Sequence, residues 1–256
     1  MYTPKERCQL LLSMLGEQLN EHGHFFKISK TRLYWKNKDV SVFVFPRGSH
    51  YSEAEITKRW LSIRIDSYAM RKLARAGAPV SGGTISRGAE TLYEGDLRTP
   101  DSPGSVEVTL TDWWSIEEAA KYLAPHFDDF WHNELAAWLS LDSAITELST
   151  NARQDFLSAI LLGSTPPEQG LTVLWAPGAP AAGSSELREL IHEHKLDEKE
   201  WRLNLIGELL LASNRDDDFW RLVEFGSMCK DRSKHKSGQY RGLMALADWK
   251  RANEAV

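Results

Sequence analysis

The sequence predicts an α+β fold, with an antiparallel sheet and flanking helices in residues 1–150 and an all-helical part in residues 151–256. Two observations predict this class. Short runs of aromatic and β-branched residues recur in the first 110 residues, and helical spacing of apolar residues dominates after residue 115. A Pro/Gly/Ala-rich stretch at residues 165–185 indicates a link between an N-terminal domain and a helical domain or extension.

The first predicted helix covers residues 4–21, and Pro4 suits its first turn because an amide there has no helical partner. Its apolar residues recur at helical steps: Leu11, Leu12, Leu15 and Leu19. Three segments then have strand chemistry: residues 25–29, 32–36 and 40–45. The turn residues Asn37 and Asp39 separate the last two, so residues 31–45 are predicted to form a hairpin.

Two further segments alternate between apolar and polar residues: residues 60–66 and 106–110. Clean alternation predicts that each segment is a strand with one buried face. In residues 60–66, either Trp60 or its neighbours would point to that buried face. A short helix is expected at residues 67–76. Residues 80–104 are rich in Gly and Pro, and they predict a loop with at most one short strand, near residues 90–93. The first half is therefore expected to contain four to six strands.

Ser115 and Glu118 have the spacing of a capping box, which predicts that a helix begins there. Pro125 is expected to kink or split this helix, because proline has no amide donor. Other helices are predicted at residues 143–148, 151–162, 185–193, 201–212, 219–229 and 240–253. A capping box at residues 197–200 and the acidic residues 216–218 predict N-terminal caps for the helices at 201–212 and 219–229, which would form an αα-hairpin across a short turn.

The net charge of −5 conceals an asymmetry along the chain. Residues 1–90 contain 15 Lys and Arg against 8 Asp and Glu, whereas residues 91–150 contain 2 against 12. Such blocks either steer a charged partner or offset one another within one fold. Cys8 and Cys229 predict neither a disulfide framework nor a four-thiolate metal site. Because the sequence has no signal-peptide pattern and no apolar run of membrane length, a cytoplasmic protein without a membrane partner is expected.

The acidic block also contains several of the ten tryptophans, and this combination predicts a surface for a basic protein partner. Charge favours encounter and tryptophan anchors the complex. The predicted partner-binding residues are Trp113, Trp114, Glu117, Glu118, Asp128 and Asp129. On an extended segment, adjacent tryptophans would face opposite ways and leave one exposed. The alternative is that both lie in the core or where the sheet meets a helix.

A weak metal candidate occurs in the same block, where Asp128 and His132 are four residues apart and would share a helix face. His126 and Asp129 lie beside them. The alternative is an ordinary solvated acidic face, so the sequence predicts no resident metal and no cofactor. His24 is interpreted as a structural residue at the end of the first helix. No nucleophile elbow or dinucleotide fingerprint is present, so no catalytic residue is predicted.

A basic segment near the C-terminus supplies weak candidates for nucleic-acid contacts: Lys230, Arg232, Lys234, Lys236 and Arg241. Nucleic-acid binding would require such charge beside exposed aromatic side chains or within a recognisable module. Only Tyr240 is near, and no module is recognisable. A solvated loop between two helices is the alternative interpretation, so nucleic acid is not the expected partner.

Several short motifs follow one another in a particular order: HFFK at 24–27, RLYWK at 32–36, WWSIEE at 113–118 and FW at 130–131. In the order and the residue types of these motifs, residues 16–148 resemble a bacterial domain family of unknown function, number 4304. The resemblance implies an α+β domain and supplies no catalytic residue. It does not extend beyond residue 151.

These observations together predict a non-enzymatic bacterial binding protein, expected to be an immunity or defence-associated factor that recognises another protein through the acidic, Trp-bearing surface. Two alternatives stay open at this point. One is an enzyme with an unrecognised, metal-assisted hydrolytic site at residues such as Asp128 and His132. The other is nucleic-acid binding through residues 230–241. The sequence indicates no oligomeric state.

Overall fold

The computed structural model describes residues 2–48, 56–80, 90–99, 102–150, 170–196, 201–228 and 237–254. It has an antiparallel sheet with flanking helices in the N-terminal half and a helical C-terminal part, so the predicted α+β class is confirmed. Contacts divide the chain into two compact units. Unit 1 is residues 1–68 and 91–140, and unit 2 is residues 69–90 and 141–256. The predicted domain limits, 1–150 and 151–256 with a link at 165–185, stay a prediction.

The main sheet of unit 1 is antiparallel throughout. Its described strands are β1 (Lys27–Ile28), β2 (Leu33–Lys36), β3 (Val40–Gly48), β4 (Thr57–Ser67), β5 (Thr91–Asp96) and β8 (Glu107–Leu110). The strand order is β1-β2-β3-β4-β5, and β8 pairs with the beginning of β4. The predicted hairpin is confirmed by the pairing of β2 with β3, in which Lys36 is opposite Ser41. Its turn forms because the Asn37 Oδ1 atom accepts the backbone N–H groups of Asp39 and Val40, each at 2.8 Å.

Strand β4 is the centre of the sheet, and its burial corrects the prediction of one buried face. Residues 61–63 and 65–67 are buried in succession, while Trp60 is only half-buried. Consecutive buried residues on a strand require cover on both faces. Asp66 is buried with its carboxylate satisfied, because it accepts hydrogen bonds from Arg64 Nη2 at 2.8 Å and from Thr91 Oγ1 at 3.0 Å.

The Gly/Pro-rich segment contains more strand than the sequence predicted. Strand β5 extends to Asp96, and the short strands β6 (Arg98–Thr99) and β7 (Ser102–Ser105) then pair with each other. The prediction of at most one strand in this segment is therefore wrong. Backbone pairing needs no apolar side chains, so the polar composition that suggested a loop is compatible with a narrow two-stranded ribbon. Residues 81–89 of the predicted loop lie outside the described residues.

Two long helices, α1 (Pro4–Glu21) and α3 (Trp113–Phe130), pack against each other in unit 1. The short helix α2 (Tyr68–Arg75) lies between them in the chain. Helix α1 begins with a capping box, in which the Thr3 hydroxyl accepts the Glu6 N–H and the Glu6 carboxylate accepts the Thr3 N–H. Its predicted leucine face is fully buried. Helix α3 continues through Pro125, so of the predicted kink or split the split does not occur. It is followed by a π-helix at Trp131–Leu135 and a 3₁₀ turn at Ala136–Trp138.

The capping box predicted at Ser115 and Glu118 is wrong, because α3 begins two residues before Ser115. Asp112 is its N-cap residue, and the Asp112 carboxylate accepts the Ser115 N–H at 2.9 Å. In return, the Ser115 hydroxyl oxygen accepts the Asp112 N–H at 3.0 Å. Both oxygens satisfy amide groups that the first turn of a helix leaves unpaired. Trp113 and Trp114 therefore belong to the first helical turn.

Unit 2 is helical in its described C-terminal part. The helices are α4 (Leu141–Thr150), α5 (Ser185–Glu193), α6 (Leu203–Ala212), α7 (Asp216–Met228) and α8 (Ser237–Glu254). Helices α6, α7 and α8 contact one another, in agreement with the predicted αα-hairpin of the first two. The acidic residues 216–218 form the first turn of α7 instead of preceding it. The predicted helix at residues 151–162 and the predicted cap at residues 197–200 lie outside the described residues, and α6 begins after Arg202 without a side-chain cap.

The described part of the predicted link is packed. Residues Leu171–Trp175 form a 3₁₀ helix that contacts α4 and α7, and Leu171 and Leu174 are fully buried. The backbone of Gly170 enters this turn against the end of α4. A Cβ atom on Gly170 would lie 2.0 Å from the carbonyl oxygen of Ser149 and 2.8 Å from the Cα atom of Thr150. Only glycine permits this approach, because both opposing atoms belong to the backbone.

In the part of the chain that the structure describes, no helix combines the length and the apolar character that a membrane span requires.

We expect Gly170→Ala to lower the free energy of unfolding by about 1–3 kcal/mol, the usual cost of forcing an extra carbon into a packed region. Urea unfolding followed by circular dichroism measures the change. Gly238→Ala is the matched control, because a Cβ atom at Gly238 meets nothing within 4 Å and alanine favours a helix. Equal stability of Gly170→Ala and the natural chain would contradict the packing of residues 170–175 against α4.

Candidate functional site

Helix α3 has one buried face and one exposed face. The buried face consists of apolar side chains: Ile116, Ala119, Ala120, Leu123, Ala124, Phe127 and Phe130. On the opposite side, Trp114, Glu118, Tyr122 and Asp129 are all exposed. At about 100° per residue these four positions fall within a stripe about 80° wide. The exposed stripe therefore combines large aromatic rings with carboxylates.

Both tryptophans at the beginning of α3 are exposed. The exposed fractions are 46% for Trp113, 72% for Trp114 and 51% for Tyr122. The alternative that placed both tryptophans in the core is thus excluded, and the extended segment that would expose only one is also incorrect. The reason is the N-cap at Asp112, which starts the helix before the tryptophans, while the apolar residues that face the core begin only at Ile116.

The carboxylates of this surface are only partly neutralised. Lys121 lies 2.9 Å from Glu117 and 4.0 Å from Glu118, and the hydrogen bond with Glu117 raises the pKa of Lys121. The Ser115 backbone N–H holds the pKa of Asp112 below its usual value, so this group carries its charge. Asp129 is exposed at the other end of the helix. We call Trp113, Trp114, Glu117, Glu118, Tyr122 and Asp129 the α3 face.

Asp128, which the sequence grouped with these residues, has a different environment. Its carboxylate is about one-third exposed and contacts two imidazoles. The Asp128 Oδ1 atom is 2.7 Å from His24 Nε2 and 3.5 Å from His132 Nε2. The three donor atoms lie within 4.8 Å of one another. We call these three residues the His24–Asp128–His132 cluster.

The turn that follows α1 and a set of aromatic rings hold His24 in place. The His24 N–H donates to the Leu19 carbonyl at 3.0 Å, and Gly23 before it adopts a φ of +91°, which favours glycine. The His24 ring lies edge-on to Trp131, with centroids 5.0 Å apart, and to Phe127 at 6.1 Å. It is only 6% exposed, so its Nε2 atom is fixed in direction towards Asp128.

The His132 side chain is much less constrained by its surroundings than the His24 side chain. Its side chain is 67% exposed, and it belongs to the π-helix Trp131–Leu135 that follows α3. Single turns of π-helix are rare, and they occur frequently at functional sites. The cluster thus joins one fixed imidazole and one adaptable imidazole through a shared carboxylate.

The sequence anticipated part of this cluster. Asp128 and His132 are adjacent in space, as their four-residue spacing predicted. His126 and Asp129 do not join them among the described residues. The sequence does not indicate that His24 joins them, because His24 lies 104 residues from Asp128 in the chain. No local pattern could have indicated the pair, because it depends on the packing of α1 against α3.

The nucleic-acid candidates Lys230, Arg232, Lys234 and Lys236 lie outside the described residues. Arg241 is described and is exposed on α8. Unit 2 also has an open pocket of about 710 Å³ lined in part by Trp175, His194 and Arg215. The Arg215 guanidinium lies 2.8 Å from Asp218 and 3.8 Å from Asp142, so its charge is already compensated.

Comparisons of the chain with protein-family models, with curated proteins and with solved structures give no match. The resemblance of residues 16–148 to family 4304 therefore stays a prediction.

The N-cap at Asp112 should make the stability of α3 depend on pH. A carboxyl group whose pKa is lowered by folding stabilises the fold above its ordinary value of about 3.9, and this stabilisation is lost as the pH falls through the folded-state pKa. We expect Asp112→Ala to lower the melting temperature at neutral pH, and the deficit to shrink below about pH 4. Thermal unfolding of Asp112→Ala and of the natural chain, from below pH 4 to neutral pH, measures this deficit.

Asp112→Asn is the matched control, since asparagine keeps the hydrogen-bond acceptor and removes the charge. It should retain more of the neutral-pH melting temperature than Asp112→Ala does. An Asp112→Ala deficit of the same size at every pH would show that the ionised carboxylate does not stabilise the helix.

Proposed function

We propose that this chain is a non-enzymatic binding protein that recognises a basic segment of another protein through the α3 face. The observation that carries the proposal is the exposure of Trp113 and Trp114, 46% and 72%, in the first turn of an acidic helix. Large aromatic side chains that remain in water at adjacent positions forgo the free energy of burial. A partner that covers them recovers that free energy.

The composition of the α3 face supports an interface with a protein. Tryptophan and tyrosine are enriched among the residues that dominate binding free energy, because each buries a large rigid surface at little entropic cost. Trp114 and Tyr122 are two helical turns apart on the same stripe, with Glu118 between them. The Tyr122 ring also lies edge-on to His126, with centroids 4.7 Å apart, which restricts its orientation.

Charge complementarity determines the kind of partner. Along residues 112–130 the sequence has one basic residue, Lys121, which Glu117 and Glu118 share, against five acidic residues: Asp112, Glu117, Glu118, Asp128 and Asp129. A basic segment would approach this surface faster and in a preferred orientation, whereas an acidic one would be repelled. A lysine- or arginine-rich protein segment with an apolar side chain for the tryptophans meets both requirements.

The narrower prediction of a bacterial immunity or defence-associated factor is one form of this proposal. Its test is the gene neighbourhood, in which a toxin or phage-defence gene would support it. Of the alternatives, nucleic-acid binding has no supporting geometry in the described ranges, since residues 230–236 fall outside them. Metal-assisted hydrolysis would need a substrate-binding arrangement beside Asp128 and His132 in addition to a metal.

The test compares capture of partners by the natural chain and by a triple variant, Trp114→Ala/Glu118→Lys/Asp129→Lys. Chemical cross-linking with mass spectrometry then identifies the segment of the partner that lies against α3. We expect the triple variant to lose the partner. Trp114→Ala alone should weaken binding about 30-fold, as for a residue that contributes about 2 kcal/mol at an interface.

Asp248→Lys is the control, because Asp248 is exposed on α8, its side chain being 74% accessible, and reversing it changes charge far from α3 in sequence. This variant should retain the partner. Binding should also weaken as salt is raised, since the attraction is between exposed charges. The proposal would be contradicted if the triple variant still captured the partner, or if the cross-linked segment of the partner were acidic.

A further inference from the structure

We infer that His24, Asp128 and His132 form a binding site for one transition metal ion of the Zn²⁺ class. Each residue offers one ligand atom, and these three atoms lie within 4.8 Å of one another. The Nε2 atoms of His24 and His132 are the ones that lie beside Asp128 Oδ1. They come from two places in the chain, the turn after α1 and the end of α3, so the packing of the two helices assembles the site.

The distances fit a tetrahedral ion. Zinc lies about 2.0–2.1 Å from nitrogen and oxygen ligands, so two ligand atoms of a tetrahedral site are about 3.3 Å apart. The two separations from Asp128 Oδ1 are 2.7 Å to His24 and 3.5 Å to His132, on either side of that value. Binding would therefore replace the hydrogen bond between His24 and Asp128, and the exposed His132 side chain would close the remaining separation from His24, which is within 4.8 Å.

The donor chemistry selects the class of ion. Imidazole nitrogen suits zinc, copper, nickel and iron, whereas calcium and magnesium prefer oxygen ligands. Two imidazoles and one carboxylate are a common set for zinc with an open position. Three protein ligands leave that position for water, on the side where His132 is exposed.

The surroundings of the cluster favour binding because one ligand is already fixed. The aromatic rings of Phe26, Phe127 and Trp131 surround the His24 imidazole and leave it only 6% exposed. Its orientation is therefore determined before an ion arrives, which lowers the entropic cost of ordering the site. The 67% exposed His132 side chain can rotate to complete it.

The contrasting interpretation is that Asp128 only hydrogen-bonds to His24, a satisfied core residue, and forms an ion-pair contact with His132. The two interpretations differ in one measurable property. A hydrogen-bonded cluster has no reason to bind an ion in a fixed ratio, whereas a metal site binds one ion per chain and loses it when a ligand is removed.

The experiment uses the full chain, stripped of metal with a chelator and titrated with Zn²⁺ in competition with a chromogenic chelator. We expect one ion per chain. His132→Ala and Asp128→Asn should each lower the affinity by about 100-fold or more, since even residues that only support metal ligands change affinity 10–100-fold. Co²⁺ in place of Zn²⁺ should give visible absorption bands that both variants lose.

His126→Ala is the matched control, because His126 belongs to the same helix but not to the cluster. It should bind Zn²⁺ as the natural chain does. His132 is exposed, so its variant should fold, and circular dichroism checks this. Absence of stoichiometric binding, or equal affinity in the natural chain and the Asp128→Asn/His132→Ala double variant, would overturn the inference. The partner test changes neither Asp128 nor His132, so failure of one proposal leaves the other intact.

Discussion

The packing of α1 against α3 is the interaction on which both candidate sites depend. Each helix contributes a continuous apolar face, from Leu11 to Leu19 on α1 and from Ile116 to Phe130 on α3, and these faces are buried. Burying one such side chain stabilises the fold by about 1.5–3 kcal/mol, so the orientation of α3 is strongly determined. Everything on its opposite face must then point away from that core, including Trp114, Glu118 and Tyr122.

The same packing determines the position of His24. Helix α1 ends at Glu21, and the chain turns through Gly23 so that the His24 N–H still bonds to Leu19. The imidazole therefore has a fixed place relative to α1, and the docking of α1 brings it to Asp128. Removing this packing would separate two residues that are 104 positions apart in the chain.

The sequence predicted the elements well where a periodic pattern determines them. The leucine spacing of α1 and the turn residues at Asn37 and Asp39 gave correct helix and hairpin assignments, because these signals are local. The sequence places the N-cap of α3 three residues too late, at Ser115 instead of Asp112, since Ser115 with Glu118 and Asp112 with Ser115 are both possible capping pairs. That choice decided whether the tryptophans precede the helix or lie on its first turn.

Other features could not be read from local pattern. The pairing of β6 with β7 depends on backbone hydrogen bonds between residues whose composition is that of a loop. The burial of both faces of β4 depends on what covers the sheet, which alternation along one strand does not indicate. The role of His24 required knowledge of tertiary packing. In each case the missing information is a contact between distant segments.

The two candidate sites share one helix, and their separation determines whether they influence each other. Trp114 and Asp128 are 14 residues apart, which is about 21 Å along a helix. Exposed charges are largely screened beyond about 8 Å at physiological ionic strength. A divalent ion at Asp128 would thus leave the attraction of a basic segment at the Trp114 end almost unchanged. It would oppose only a partner that extends along α3 as far as Asp129, beside the cluster. The length of the partner's contact therefore decides whether metal and partner compete, and a short basic segment anchored on the tryptophans would bind independently of the metal.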